Sequence, residues 1–160
     1  LFLTIVGYND YYEVVAGKAP RHIEEEATLA VVRKADQLMQ RITGLLKPYA
    51  LSPTQYNVLR ILRGAGRDGA SCKDIGNRLI SRDPDVTRLM DRLEKRGILT
   101  RGRAKEDRRV VAHRLTEEGL ALVNELDRPV RELHRKIMRG IDPAKLETLI
   151  SILEEIRVEE

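Results

Sequence analysis

The chain has 160 residues, 42% of them hydrophobic and 34% charged, with a formal charge of +4 and a single cysteine. That length suits one domain, or one domain with an attached oligomerisation element. One cysteine excludes an intrachain disulfide framework. The apolar opening LFLTIV is too short to cross a bilayer and lacks a basic n-region, so a soluble cytoplasmic protein with no membrane partner is expected.

The charge is unevenly spread. From Arg78 to Arg114 there are twelve Arg and Lys against six Asp and Glu, a local +6 that leaves the other 123 residues at −2. A basic middle in a slightly acidic frame suits a polyanion such as nucleic acid; the plainer reading is a solvated charged face.

Residues 1–23 carry Phe2, Tyr8, Tyr11 and Tyr12 and read as an aromatic-rich N-terminal extension. Packing across a dimer is the expected role, with ligand or DNA contact as alternatives. Residues 24–46 read as a long helix closed by Pro48, in which Ala27, Val31, Ala35, Leu38, Ile42 and Leu45 recur at spacings of three and four. Leu29, Val32, Met39 and Leu46 widen the stripe, enough to face both its own domain and a partner chain.

SPTQ at Ser52–Gln55 has the form of a capping box with proline at the first helical position. The helix it opens carries Tyr56, Leu59 and Leu62 and ends in the glycine-rich stretch Gly64–Gly69. Ser71–Asp74 is a second capping box, starting a short helix with Ile75 and Leu79 inward. Asp83-Pro84 predicts the start of another helix, over 84–96, with Val86, Leu89, Met90 and Leu93 buried and Gly97 as its stop. Two short helices about four residues apart outline a helix-turn-helix. Ile98–Arg103 and Val110–Leu115 are then the arms of a hairpin with AKEDRR at its tip, a β-wing.

Thr116 is placed to cap a long C-terminal helix with Leu120, Val123, Leu126, Val130, Leu133 and Ile137 at heptad-like spacing. Pro129 lies inside it and should kink it or, failing that, divide it. Asp142-Pro143 starts a last helix bearing Leu146, Leu149, Ile150, Leu153 and Ile156. The expected fold is mainly α with a small β-wing: a winged helix-turn-helix over 51–115, flanked by dimerisation helices over 24–50 and 116–160. A monomer cannot cover so many apolar stripes, so a twofold dimer is expected.

No catalytic, metal or cofactor site is predicted. His22, His113 and His134 fall on different elements with no Cys or carboxylate at ligand spacing, and there is no glycine-rich phosphate loop. An enzyme is not expected.

The DNA reading rests on the outward face of the 84–96 helix. Arg88 suits guanine O6 and N7, Asp85 could accept from cytosine N4, and Thr87 could meet a thymine methyl or a phosphate. Ser81, Arg82 and Arg92 suit phosphates. The plain alternative is a solvated helix laced by pairs such as Asp91–Lys95. In the wing, Arg101 and Arg103 share a face, and Lys105, Arg108 and Arg109 load the tip. An arginine there can enter a narrow minor groove, and Asp107 can orient Arg109.

LSPTQYNVLRIL (51–62), VTRLMDRLEKRGILTR (86–101) and EDRRVVAHRLTEEGLAL (106–122) resemble the MarR family of winged-helix transcriptional regulators. The most specific piece is Asp107, Arg109, Leu115 and Thr116 after RLMDRLEKRG. The resemblance implies a homodimer on a pseudo-palindromic operator of double-stranded DNA, acting as a repressor. It also implies release by a small aromatic or phenolic ligand in a crevice, near which Tyr49, Tyr56 and Arg60 fall, with a core or interface role expected for them ahead of a ligand role. It implies Arg109 as the minor-groove arginine, with Asp107 its partner. The family's peroxide-sensing branch uses a cysteine near the start of the first long helix; none lies there. Cys72 instead opens the short helix beside Lys73; a small, partly buried residue without a sensing role is expected there, and oxidation at Cys72 is a second reading. A third is a winged-helix dimer that binds proteins and not DNA.

Overall fold

The computed structural model describes residues 22–80, 85–103 and 109–157. Two compact units divide the chain, residues 1–39 and 40–160. Helix α1 runs Ile23–Leu46, with Glu24, Glu25 and Glu26 in its first turn, where carboxylates oppose the helix dipole favourably. Its apolar residues Ile23, Val31, Val32 and Met39 are exposed. The aromatic residues of the extension lie outside the described residues.

In the second unit, α1 closes through a 3₁₀ turn, Lys47–Tyr49, onto Ala50, whose backbone is left-handed at φ 51° and ψ 39°. Helix α2, Pro53–Ala65, begins as its sequence predicts: Ser52 Oγ accepts from Gln55 N while Ser52 N donates to Gln55 Oε1. Helix α3, Cys72–Arg78, has the same reciprocal box between Ser71 and Asp74. Four orphan N–H groups open every helix, so these local pairings fix where each starts.

Helix α4 is Val86–Lys95 and its cap is Asp85, whose carboxylate accepts from Arg88 N at 3.1 Å. The expected start at Asp83-Pro84 is corrected: Asp85, in a non-helical conformation, supplies the cap, and residues 81–84 lie outside the described ones. Leu89, Met90 and Leu93 are buried, as the spacing requires.

Strands β1, Leu99–Arg103, and β2, Val111–Leu115, pair antiparallel with Leu99 opposite Leu115 and Arg103 opposite Val111. A third piece joins them. Ala70 bridges His113, its N–H donating to His113 O at 3.0 Å and its carbonyl accepting from His113 N at 2.8 Å. Gly69 makes this approach possible: it sits at φ 75°, and a Cβ there would collide with the His113 carbonyl oxygen.

Thr116 caps α5, Glu117–Ile137, accepting from Gly119 N at 3.0 Å. The helix runs through Pro129 without dividing, and Val123, Leu126 and Val130 are buried. Arg63 of α2 ties to it by a bidentate pair with Asp127, at 2.7 and 2.9 Å, and a third bond to Asn124. Helix α6, Pro143–Glu155, is capped by Asp142 and buries none of its residues. Leu149, Ile150, Ile152 and Leu153 all face outward. The core joins Leu46 and Leu51 to α2, α3, α4, β1 and α5, with Leu59, Leu62, Ile75, Met90, Leu93, Val123 and Leu126 nearly inaccessible.

Candidate nucleic-acid interface

Burying Leu89, Met90 and Leu93 turns Thr87, Arg88, Arg92 and Lys95 outward. Asp85 does more than cap. Its second oxygen lies 3.0 Å from Arg88 Nε, so one carboxylate fixes both the helix start and the guanidinium at its first turn. Asp85, expected to accept from a base, has its oxygens on the helix start and on Arg88 in the structure. Thr87 is exposed, and its side chain hydrogen-bonds the Cys72 sulfur.

The wing is attached to this helix by charge. Arg101 Nε lies 3.2 Å from Glu94 and Nη1 3.7 Å from Asp91. The acids of α4 therefore pair across elements, where the sequence suggested pairs along the helix. The wing's other face is held by Arg114, which donates to Arg67 O at 2.8 Å and Arg103 O at 3.3 Å. Arg103 and Arg109 are both exposed. Ser81, Arg82, Lys105, Asp107 and Arg108 lie outside the described residues, so the Asp107–Arg109 partnership is not described.

Beneath the interface sits a pair that sequence reasoning did not join. Cys72 Sγ lies 3.4 Å from His113 Nε2. His113 is 4% exposed, and its Nδ1 has no hydrogen-bond partner among the described residues. Burial depresses its pKa first; Glu94 and Asp91 oppose that, while Arg101 adds to it. The Cys72 thiol is pushed up, chiefly by burial and also by Asp91, against a lowering hydrogen bond from Thr87. A thiol held protonated is a poor nucleophile. Burial thus opposes the activation that the helix start and Lys73 would give.

The three residues expected near a crevice separate. Tyr49 lines a cavity of about 490 Å³ with Arg96, Ile98, Glu118, Ala121, Leu122 and Glu125. Tyr56 is a buried core residue and Arg60 is exposed; neither lines that cavity. Burial raises the Tyr56 phenol while Arg60 lowers it. Arg96, absent from the sequence-based set, donates to Ala50 O at 2.6 Å and Tyr49 O at 3.1 Å. A lone arginine after a helix gives no signal of such a long-range role. Among the described residues, no group of three His, Cys, Asp or Glu could hold a metal ion, and no helix is long and apolar enough to cross a membrane.

The sequence profile of the MarR family matches residues 51–111, the span of the helix-turn-helix and most of the wing. A MarR transcription factor from Planctomyces limnophilus is 35% identical, over 87% of this chain and 99% of that one, with a TM-score of 0.64. The homoprotocatechuate degradative operon repressor of Escherichia coli is 26% identical over 133 residues, 83% of this chain and 88% of its own length. BpsR of Bordetella bronchiseptica, whose DNA binding is regulated by 6-hydroxynicotinic acid, shares the fold at a TM-score of 0.75. It is 23% identical, over 89% of this chain and all of that one. MarR regulators are non-enzymatic proteins that bind DNA, typically dimerise and are generally modulated by small ligands. With its two capped helices, its wing and a near full-length relative at 35% identity, this chain belongs to the MarR family of transcription regulators.

Proposed function

We propose that the chain is a homodimeric, sequence-specific repressor that binds a pseudo-palindromic double-stranded operator and is released by a small aromatic or phenolic ligand. Residues 51–115 are the DNA-binding part, and 24–50 with 116–160 the dimerisation part. The observation that carries this reading is the Asp85–Arg88 pair. An arginine fixed at the first turn of an outward helix face is presented for a guanine edge at low entropic cost. Arg92 and Arg103, both exposed, serve as phosphate contacts, and Arg109 is the minor-groove arginine. The uncovered apolar rows of α1 and α6 support a second copy as their cover. The Escherichia coli relative, a repressor of an aromatic-degradation operon, and BpsR, with its aromatic effector, support the repressor and ligand parts.

The test is capture of genomic DNA by the full chain, followed by titration of the captured site at two salt concentrations. Binding that prefers this site over scrambled DNA and weakens steeply with salt is expected, since phosphate contacts release counterions. Equal affinity for scrambled DNA would overturn the proposal.

A further inference from the structure

Three elements meet at one partly buried sulfur. Cys72 opens α3, and the Ser71–Asp74 capping box fixes where that helix starts. Its Sγ lies 3.4 Å from Nε2 of His113, on β2 of the wing. His113 is itself held in place: it is buried, and its backbone is tied in both directions to Ala70, two residues before Cys72. Thr87 of α4 hydrogen-bonds the same sulfur. Burial raises the thiol while the Thr87 bond lowers it, which marks the hydroxyl as donor and the sulfur as acceptor.

Thr87 is nonetheless exposed, on the outward side of α4 with Arg88 and Arg92. A threonine hydroxyl has one proton to give. Here that proton goes to Cys72, and a phosphate, which only accepts, has no share in it. The methyl is what the side chain has left to present. The same bond selects a rotamer. Threonine in a helix divides between two χ1 wells, and a sulfur fixed by another element favours one of them.

We propose that Thr87 reads a thymine C5-methyl through its own methyl, and that Cys72, seated against His113, is the positioning residue that aims it. Apolar contact between these two methyls is direct readout in the major groove. Cys72 touches no base and acts only through Thr87, so base preference is coupled to the seat of the wing. This deepens the DNA-binding reading above and rests on it.

Uracil lacks only the C5-methyl of thymine, which makes it the probe. It is substituted for each thymine of the genomic site captured by the full chain, and affinities are compared by fluorescence anisotropy. Wild type should lose about fourfold at one thymine per half-site, the worth of one buried methyl-sized group. Thr87→Ser keeps the hydroxyl, drops the methyl and should bind the thymine and uracil sites equally. Cys72→Ala should shrink the uracil penalty, and Cys72→Ser, whose oxygen still accepts, should restore it. In the DNA-free chain, three-bond NMR couplings to Thr87 Cγ2 should show one rotamer in wild type and Cys72→Ser, and an average in Cys72→Ala. A preferred site indifferent to uracil at every thymine, an undiminished penalty in Thr87→Ser, or a single Thr87 rotamer in Cys72→Ala would overturn the inference. Absence of any preferred site for the wild type would instead strike the repressor reading, and this inference with it.

Discussion

Arg101 of the wing lies 3.2 Å from Glu94 of the helix-turn-helix, so the basic hairpin and the outward helix are joined through opposite charges. Both side chains are partly exposed, and the pair is worth under about 1 kcal/mol to stability. Its effect is on angle. Arg101→Gln should leave thermal stability nearly unchanged and weaken operator binding several-fold, seen by fluorescence anisotropy. Unchanged DNA affinity would show that the wing needs no such strut.

Arg109→Ala should weaken operator binding while the dimer remains intact by analytical ultracentrifugation. Loss of the dimer instead would mean that this arginine serves assembly. Arg88→Ala should cost about 1–3 kcal/mol of binding and relax preference at one base pair per half-site. An equal loss on every sequence would make Arg88 a phosphate contact.

His113 should make stability depend on pH in one direction. Burial holds its folded pKa below the unfolded value near 6.5, so the unfolded chain takes up the proton first. Its contribution is full above that value and is lost as pH falls toward the depressed folded pKa. Melting temperatures at pH 7.5 and 5.5 should differ more for the wild type than for His113→Gln. Equal differences would remove His113 as the cause.

Asp127 works at lower pH. Its carboxyl is held below the usual range, mainly by hydrogen bonds from Arg63. The stability this adds is present above the unfolded value near 3.9 and declines as pH falls through the folded one. Asp127→Asn should cost about 1 kcal/mol at pH 7, discounted for solvent exposure, and flatten the acid limb of the melting curve. A parallel acid limb would assign it elsewhere.

Cys72 should be slow to oxidise. With the thiol raised by burial, peroxide should release DNA equally from wild type and Cys72→Ser, if at all. Release from the wild type alone would restore the oxidative reading.

The helices were legible because their signals are local. Ser52 with Gln55 and Ser71 with Asp74 lie within one turn, so the sequence contains the whole interaction. The α4 start was misread for a related reason: Asp83-Pro84 and Asp85 both have the chemistry of a cap, and backbone conformation chooses between them. Long-range partners were not legible. Ala70 joins His113 across 43 positions, and Arg96 reaches Tyr49 and Ala50 across more than 40. Nothing in composition or periodicity encodes such encounters. The exposed stripes of α1 and α6 were visible as excess apolar width, which a pattern can show without naming the cover.

Gly119 permits a contact with a mechanical consequence. A Cβ there would strike the Ile98 carbonyl, so α5 touches the start of β1 backbone to backbone. Thr116 Oγ also donates to Gly97 O at 2.7 Å. The end of α4, the root of the wing and the origin of α5 thus meet at one point, in close backbone contact. In a symmetric pair, a few degrees of rotation in α5 would swing each reading head through an arc, and two arcs add. If the chain binds DNA as such a pair, the spacing between half-sites, set by the pitch of DNA, is the quantity this rotation changes. Gly119→Ala would therefore force α5 away from Ile98 and disturb this junction without altering any residue on the outward face of α4.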